Sequence, residues 1–394
     1  MVVPGRARLR RRTRGADVVA LARRTLLYEW RRFLPATVAI AFASLLLLLQ
    51  ASLVLGIFGS ASVYVRGSSA DVWMGYPGTQ SVDQGRQIDP DAATLLDMEP
   101  QVTRVEPFLW FDGDWRGPAG TGAVSVFVSG IDTRPDGLMF SRILSPSLRA
   151  ALQAPDAIVV DRAELDKLGV AIGSTAHING EPVRVVGVGS GLRALGGVNI
   201  LASLDTARRL NADAIHPDWP TYLVARLQDP SQAGAVAARL SRRPGGGQHQ
   251  AWSADAFARR STMFWLFDTG AGAGVLFLAG VVFLVGAAIT SQTLVAAVFG
   301  SIREYATLNA LGVGLSALRW VVLEQAFWVG AAGLVAASIS GFIVISIARL
   351  RDIPVVFDAV LWLVCIVVVM ALAILSGLVA LRSLRRADPA ELLR

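Results

Sequence analysis

Apolar residues gather in four runs along this chain, each long enough to cross a bilayer. A crossing takes about 20 apolar residues at about 1.5 Å of rise each. The first run, 33–58, carries no charge, and the second lies in a charge-free stretch from Thr269 to Ile302. The third, 320–348, holds one charge, Glu324, and the fourth, 359–381, holds Cys365. A signal-peptide core spans about 7–15 apolar residues, so the first run reads as a membrane helix. The stretch 269–302 has 34 residues, about 51 Å as a helix, against a hydrocarbon core of about 30 Å. The second span should therefore continue beyond the bilayer as unbroken helix, beside residues 59–66.

Residues 59–268 are polar in the ordinary way and mix strand and helix signals. Asp71–Tyr76 and Val102–Trp110 read as strands, and Val124–Val128 is another apolar run. Asp89-Pro90 caps a short helix ending near Met98, with Pro in the first turn. Thr175–Ile178 and Val183–Val188 flank Asn179-Gly180, a dipeptide suited to the positive φ angles of a type I′ hairpin turn. Helices are expected at 203–211 and 231–242, with a strand at Thr221–Leu227 between them. The fold class is an α-helical membrane protein with four transmembrane helices and an α+β extracytoplasmic domain between the first and second.

Charge sets the orientation. Residues 1–32 carry ten Arg against Asp17 and Glu29, and the tail after Leu381 carries four Arg against Asp388 and Glu391. Segment 59–268 holds 19 basic and 22 acidic residues. Lys and Arg collect on the cytoplasmic side, so both termini are expected inside and 59–268 outside, in an inner (plasma) membrane. Residues 16–32 place Val19, Ala22, Leu26 and Trp30 near one helical face, which suits a helix lying in the inner interface. The Arg cluster beside it fits anionic lipid headgroups better than nucleic acid.

This gives an expected order: a cytoplasmic N-terminus with interfacial helix (1–32), span one (33–58), the external domain with stem ends (59–268) and span two (269–301). A cytoplasmic loop (302–319), span three (320–348), a short external loop (349–358), span four (359–381) and a cytoplasmic tail (382–394) follow.

Composition narrows the chemistry. The chain is 53% hydrophobic and 17% charged, with mean hydropathy +0.51; soluble domains carry about 25% charged residues. One cysteine excludes a disulfide framework and a Cys-based zinc site. His177, His216 and His249 have no H-E-x-x-H spacing and no assignable Ser or Asp partner. Gly189-x-Gly191-x-x-Ala194 superficially matches a dinucleotide loop. It follows a hairpin strand rather than opening a βαβ unit, and Gly196-Gly197 interrupts any helix after it. No G-x-x-x-x-G-K-[ST] motif occurs, Lys167 being the one lysine. No catalytic residue, cofactor or metal is expected, and ATP hydrolysis is expected in a separate subunit.

The loop after span two is patterned. Ile302, Tyr305, Leu308 and Leu311 recur every three residues, Arg303 and Glu304 precede Tyr305, and Gly312 permits a turn. Glu324 lies about one turn inside span three, roughly 7 Å along the axis from Arg319. An intramembrane acid is a functional candidate; the plainer reading is an anchor paired with Arg303 or Arg319.

One span, a large external domain and three spans, together with R-E-Y-A-T-L-N-A-L-G at 303–312, resemble permease subunits of the MacB/FtsX-like superfamily of ABC systems. Within it the chain resembles the DevC-type exporter permeases. The segments A-L-A-R-R-T-L-L-Y-E-W-R-R at 20–32, V-V-L-E-Q-A at 321–326 and R-R-A-D-P-A-E-L-L-R at 385–394 carry the likeness, as does Phe42 to Gln50. So does the hairpin I-N-G-E-P-V-R-V-V-G-V. The resemblance implies a separate ABC ATPase, a second permease copy (the same chain or a paired permease) and a periplasmic adaptor. It makes Ile302, Arg303, Glu304, Tyr305, Leu308, Leu311 and Gly312 the ATPase-coupling residues, and efflux the output. The rival is an FtsX-like transmembrane regulator that activates an external cell-wall hydrolase. A membrane-anchored binding protein with no cytosolic partner is a further one.

Overall fold

The structure is a computed structural model, and it describes residues 28, 30–118, 124–242, 249–300, 315–351 and 353–384. The coupling loop 302–312 and the tail motif lie outside the described residues, as does most of the expected interfacial helix. Two compact units emerge, one of Met1–Leu55 with Val275–Arg394 and one of Gly56–Gly274.

Helix α1 (Trp30–Gly59) leads through a 3-10 turn (Ser60–Ser62), with Ser62 at φ −103° and ψ 11°, into α2 (Val63–Arg66). The external unit then lays down β1 (Val72–Gly75), α3 (Ala93–Asp97), β2 (Val102–Arg116), β3 (Val124–Ile131) and α4 (Pro146–Ala151). Next come β4 (Ala157–Asp161), α5 (Leu165–Leu168), β5 (Thr175–Ile178), β6 (Glu181–Gly189), β7 (Val198–Ser203) and α6 (Leu204–Leu210). It closes with β8 (Tyr222–Leu227), α7 (Ala233–Arg242), β9 (Gln250–Ser253) and α8 (Ala254–Met263).

Strand β2 organises this unit. Its first half pairs with β8 from Val102 to Phe108, and its second half pairs with β3 from Leu109 to Trp115. The strand therefore belongs to two sheets. One is the antiparallel set β2-β8-β1-β9. The other is a ring, β2-β3-β7-β4-β6-β5, closed where β5 meets β2 at Trp115 and Arg116. Pairs β3–β7 and β4–β6 are parallel, which makes the domain mixed. Closure leaves the ring no free edge. On the open sheet, β9 is shielded by Ser241, whose Oγ accepts from Ala251 N at 3.1 Å.

Each sheet face has its own core. Trp73, Phe108, Tyr64, Tyr222 and Phe257 fill one. Val126, Val128, Ile158, Val160, Val185 and Ile200 fill the ring. The hairpin turn is as its dipeptide suggests, with Asn179 at φ 53° and Gly180 at φ 86°. Asn179 also ties the turn inward: its Oδ1 accepts from Asp114 N at 2.8 Å and its Nδ2 donates to Leu210 O at 2.9 Å.

The membrane unit contains α1 with α9 (Gly270–Gly300), α10 (Leu315–Leu350) and α11 (Ala359–Leu384). Glycine sets its closest approaches. A Cβ on Gly333 would come within 2.7 Å of Ile40 Cγ2, and one on Gly286 within 3.3 Å of Ala43 Cβ. Small residues let helix backbones meet where no hydrophobic effect drives them together. Hydroxyls in the spans bond back to carbonyls one turn earlier, Ser44 to Ile40 at 2.6 Å and Ser346 to Phe342 at 2.7 Å. These two hydroxyls are thereby satisfied within their own helices, whereas Ser52 Oγ and Thr290 Oγ1 have no partner among the described residues.

Helix α9 covers nearly the whole charge-free stretch as one helix of 31 residues, but it does not continue outward past Thr269 into α8. Helix α8 ends in a π-helical turn (Phe264–Asp268), Thr269 is extended at φ −106° and ψ 147°, and α9 starts afresh at Gly270. Thr269 supplies the reason. Its Oγ1 accepts from Gly272 N at 3.1 Å, an N-cap that begins a helix rather than continuing one.

Candidate functional site

In a four-span chain with an external domain between its first two spans, two stems join that domain to the spans. The first stem is α2. A loop of 132–145 grips it: Ser69 N donates to Leu138 O and Arg142 N donates to Gly67 O, both at 3.0 Å. Gly67 has no Cβ because Ile143 Cδ1 would lie 2.5 Å from it. Phe140, held at φ 54°, sets its ring edge-on to Tyr64 at 6.0 Å. Tyr64 is fully buried and accepts from Trp110 Nε1 at 3.1 Å. Burial pushes its hydroxyl far above the ordinary tyrosine range.

Buried charge fixes the gripping loop. Glu106 on β2 is fully buried, and its Oε2 accepts from Leu138 N at 2.7 Å. Arg104 Nε sits 2.5 Å from Glu106 Oε1, an ionic contact off the hydrogen-bond angle, and Arg104 reaches Asp132 at 3.5 Å. Arg149, 3% exposed, donates to Asp132 O at 2.6 Å and to Met139 O. Burial raises the Glu106 carboxyl above its usual value; the Leu138 bond and Arg104 pull against it without winning. For Asp132 burial also raises, but the Arg134 hydrogen bonds prevail and hold the carboxyl below its usual value. Charges this deep hold one geometry, since breaking any partner strands another.

The second stem is α8 with its π turn. Trp252 stacks on Phe257 at 4.7 Å, and Trp73 meets the same ring at 5.7 Å, which seats α8 on the sheet. Trp265, in the π turn, donates from Nε1 to Asp83 Oδ1 at 3.1 Å. Asp112 nearby has its carboxyl raised, first by burial and then by the charge of Asp83.

In the membrane unit Val356 N, from the external loop, donates to Ser52 O on α1 at 3.2 Å. Glu324 is half-buried on α10. Arg303 lies outside the described residues and the Arg319 side chain outside the described side chains, so the expected pairing of Glu324 with either falls outside what the structure describes.

The other sequence candidates are placed plainly. His177 lies on the solvent face of β5, and His216 stacks on Trp219 at 4.1 Å. In the glycine loop, Leu192 N donates to Asp161 Oδ2 at 2.7 Å and Leu192 O accepts from Asn199 Nδ2 at 3.0 Å. That backbone is committed to the domain itself. Among the described residues no group of three or more His, Cys, Asp or Glu could hold a metal ion. The charged grip on α2 went unread in the sequence, since Arg104, Glu106, Asp132 and Arg149 look like solvated surface; only the spacing Arg104-x-Glu106 on one strand face hinted at a pair.

Fold and stems together define a multi-pass membrane permease with an extracytoplasmic domain. The MacB-like periplasmic core domain family matches residues 36–243, and the FtsX-like permease C-terminal family matches residues 276–389. The chain belongs to the MacB/FtsX ABC permease superfamily, as a transmembrane permease subunit of a machine whose ATPase is separate. Among solved structures it is similar to the periplasmic region of MacB from Actinobacillus actinomycetemcomitans, at 15% identity and TM-score 0.35, over 50% of this chain and 94% of that one. It is also similar to the extracellular domain of the noncanonic ABC-type transporter YknZ from Gram-positive bacteria, at 12% identity and TM-score 0.32, over 46% and 99%. A domain of a putative permease protein from Porphyromonas gingivalis matches at 10% identity and TM-score 0.30, over 47% and 87%. No curated protein matches.

Proposed function

We propose that this chain transmits the work of a separate ABC ATPase to its external domain, with efflux as the output, in the manner of DevC-type exporter permeases. The carrying observation is the succession of α1, a 3-10 turn and α2, which brings Tyr64 into the core of the external domain. Both termini are cytoplasmic in this reading. The ATPase docks on 302–312, with Tyr305 and Leu308 in its groove and Ile302, Leu311 and Gly312 shaping the turn. Arg303 and Glu304 are rim contacts, and Glu324 anchors the third span. A second permease copy completes the complex, and a periplasmic adaptor receives the motion.

Co-purification of the ATPase with the full chain tests this. Aromatic anchors carry most interface energy and rim charges little, so Tyr305→Ala should weaken binding about thirtyfold. Arg303→Ala should weaken it only a few-fold. Parent-like binding and ATPase stimulation by Tyr305→Ala and Leu308→Ala together would remove the loop as docking site. A cell-wall hydrolase in place of an adaptor among the co-purified external proteins would make the chain an FtsX-like regulator. Orientation is checked with impermeant maleimide on intact cells in a Cys365→Ser background: a Cys at Asp205 should label and one at Thr13 should not.

A further inference from the structure

The ring of the external domain closes at a short seam. Strands β2 and β5 share only Trp115 with Ile178 and Arg116 with His177, the shortest pairing around the ring. Asn179 carries that pairing one residue further. Its N donates to Asp114 O at 3.0 Å, and its Oδ1 accepts from Asp114 N at 2.8 Å. Opposed residues of an antiparallel ladder exchange two such bonds, so the side-chain oxygen stands in for a backbone carbonyl. Nδ2 donates to Leu210 O at 2.9 Å, which satisfies a carbonyl left over in the last turn of α6. One side-chain amide thus ties the hairpin turn, β2 and α6 together.

The same amide is chemically the most labile of its kind in the chain. Four asparagines occur, at 179, 199, 211 and 309, and Asn179 alone precedes glycine. Asparagine is a thermolabile residue, and a following glycine has no Cβ to hinder attack of its backbone nitrogen on the amide carbon. Both turn residues are exposed, and nothing lies within 4 Å of a Cβ placed on Gly180. In the reaction the Gly180 N–H gives up its proton and the nitrogen bonds to Asn179 Cγ. The Cγ–Nδ2 bond breaks, and ammonia leaves with that proton. Water then opens the cyclic imide at one carbonyl or the other, to aspartate or isoaspartate. Water is the one co-reactant.

Cyclisation needs a free side chain. While Oδ1 and Nδ2 are engaged, Cγ is held towards Asp114 and Leu210, so the reaction waits for the turn to open. Exposed turns open at low free-energy cost. The product does not restore the tie. A carboxylate only accepts; it keeps a bond for Asp114 N but sets an oxygen against Leu210 O where a donor stood. Arg209, in the last turn of α6, is already shared between Asp156 and Glu181 and does not neutralise the new charge. Isoaspartate adds a carbon to the main chain of a two-residue turn, whose length sets the hairpin register.

We infer that Asn179 is a covalent modification site, where spontaneous deamidation through Gly180 turns a transient opening of the β2–β5 seam into a permanent one. All the groups involved belong to the external domain, so the inference stands apart from the transmission reading.

The test ages the full chain in detergent in mildly alkaline buffer. Trypsin then releases 168–184, in which Asn179 is the one side-chain amide. Conversion reads as the mass gain from amide to acid, and isoaspartate as methyl uptake from S-adenosylmethionine by an isoaspartyl methyltransferase. Asn179 should convert in the folded chain, at least about tenfold more slowly than in the same chain held in denaturant. Equal rates would overturn the control of the reaction by the seam. A folded chain that stays intact long after the denatured one has converted would overturn the site. Hydrogen exchange at amides 114–116 and 177–179 should be on the order of tenfold faster in the aged chain than in the fresh one. Asn179→Asp should show the faster exchange without ageing. Asn179→Gly, which suits the positive φ and cannot deamidate, should also exchange fast when fresh and change no further on ageing. Unchanged exchange in the converted parent would overturn the dependence of the seam on this amide, as would a further acceleration on ageing of Asn179→Gly. Where Asn179→Asp does not fold, the ageing of the parent decides.

Discussion

Trp110 Nε1 and Tyr64 Oη lie 3.1 Å apart, and this bond joins the long strand β2 to the helix that leaves the first span. Both groups are buried, so neither can turn to water when its partner is removed. Tyr64→Phe keeps the ring packing on Phe108 and Phe140 but strands the indole N–H. The expected loss is about 1–3 kcal/mol, the cost of an unsatisfied buried donor. Tyr64→Ala adds a cavity and should cost about 3–5 kcal/mol. Thermal unfolding of the full chain in detergent ranks them; equal melting temperatures for Tyr64→Phe and parent would show the bond to be energetically idle.

Glu106 and Asp132 should give the external domain opposing pH dependences. Glu106 has a raised carboxyl pKa, chiefly through burial, so its contribution is fully present below the unfolded value and is lost as pH rises through the folded one. Asp132 is lowered, burial being outweighed by Arg134, so its contribution is present above the unfolded value and lost as pH falls. Glu106→Gln retains an acceptor for Leu138 N. Its melting temperature relative to the parent should rise as pH is raised from about 4 through the folded value. Asp132→Asn should gain on the parent in the other direction, as pH falls below about 4. A pH-independent offset for both variants would mean that neither carboxyl titrates differently on folding.

Gly333 should be intolerant of any side chain. A Cβ there meets Ile40 Cγ2 at 2.7 Å and Cβ at 2.9 Å, with Thr37 O behind them at 3.1 Å. Ile40 is fully buried and Thr37 O is backbone, so the helices must part. Gly333→Val should cost about 1–3 kcal/mol through overpacking, whereas Gly234→Ala, where nothing lies within 4 Å, should be tolerated. Detergent melting curves compare the two directly, and a Gly333→Val chain as stable as the parent would show that α1 and α10 do not pack this closely.

Much of the architecture was legible because membrane insertion is a local, compositional matter. Twenty or so apolar residues without charge have few other places to go, and helices do run 30–59, 270–300, 315–350 and 359–384. Asn179-Gly180 was legible for an equally local reason, since those two residues tolerate the positive φ the turn requires. Thr269 stood at the outer edge of the charge-free stretch read as span two, and the helix does begin beside it at Gly270; what hydropathy did not carry was the break that separates it from α8. The Thr269 N-cap hydrogen bond is a two-atom feature that no hydropathy pattern carries.

Tertiary structure alone decided the rest. Strand β2 read as ending at Trp110, yet it runs on to Arg116 because β3 and β5 offer it partners distant in sequence. Strands β4, β7 and β9 were not read at all; apolar runs this short become strands when a neighbour pairs with them. Arg104, Glu106, Asp132 and Arg149 have the composition of a wet surface, and only the return of 132–145 over β2 buries them. Local sequence records which residues prefer lipid, water or a turn. Which charged residue is enclosed, and which strand closes a ring, depends on contacts between segments far apart in the chain, and those exist only once the chain has folded.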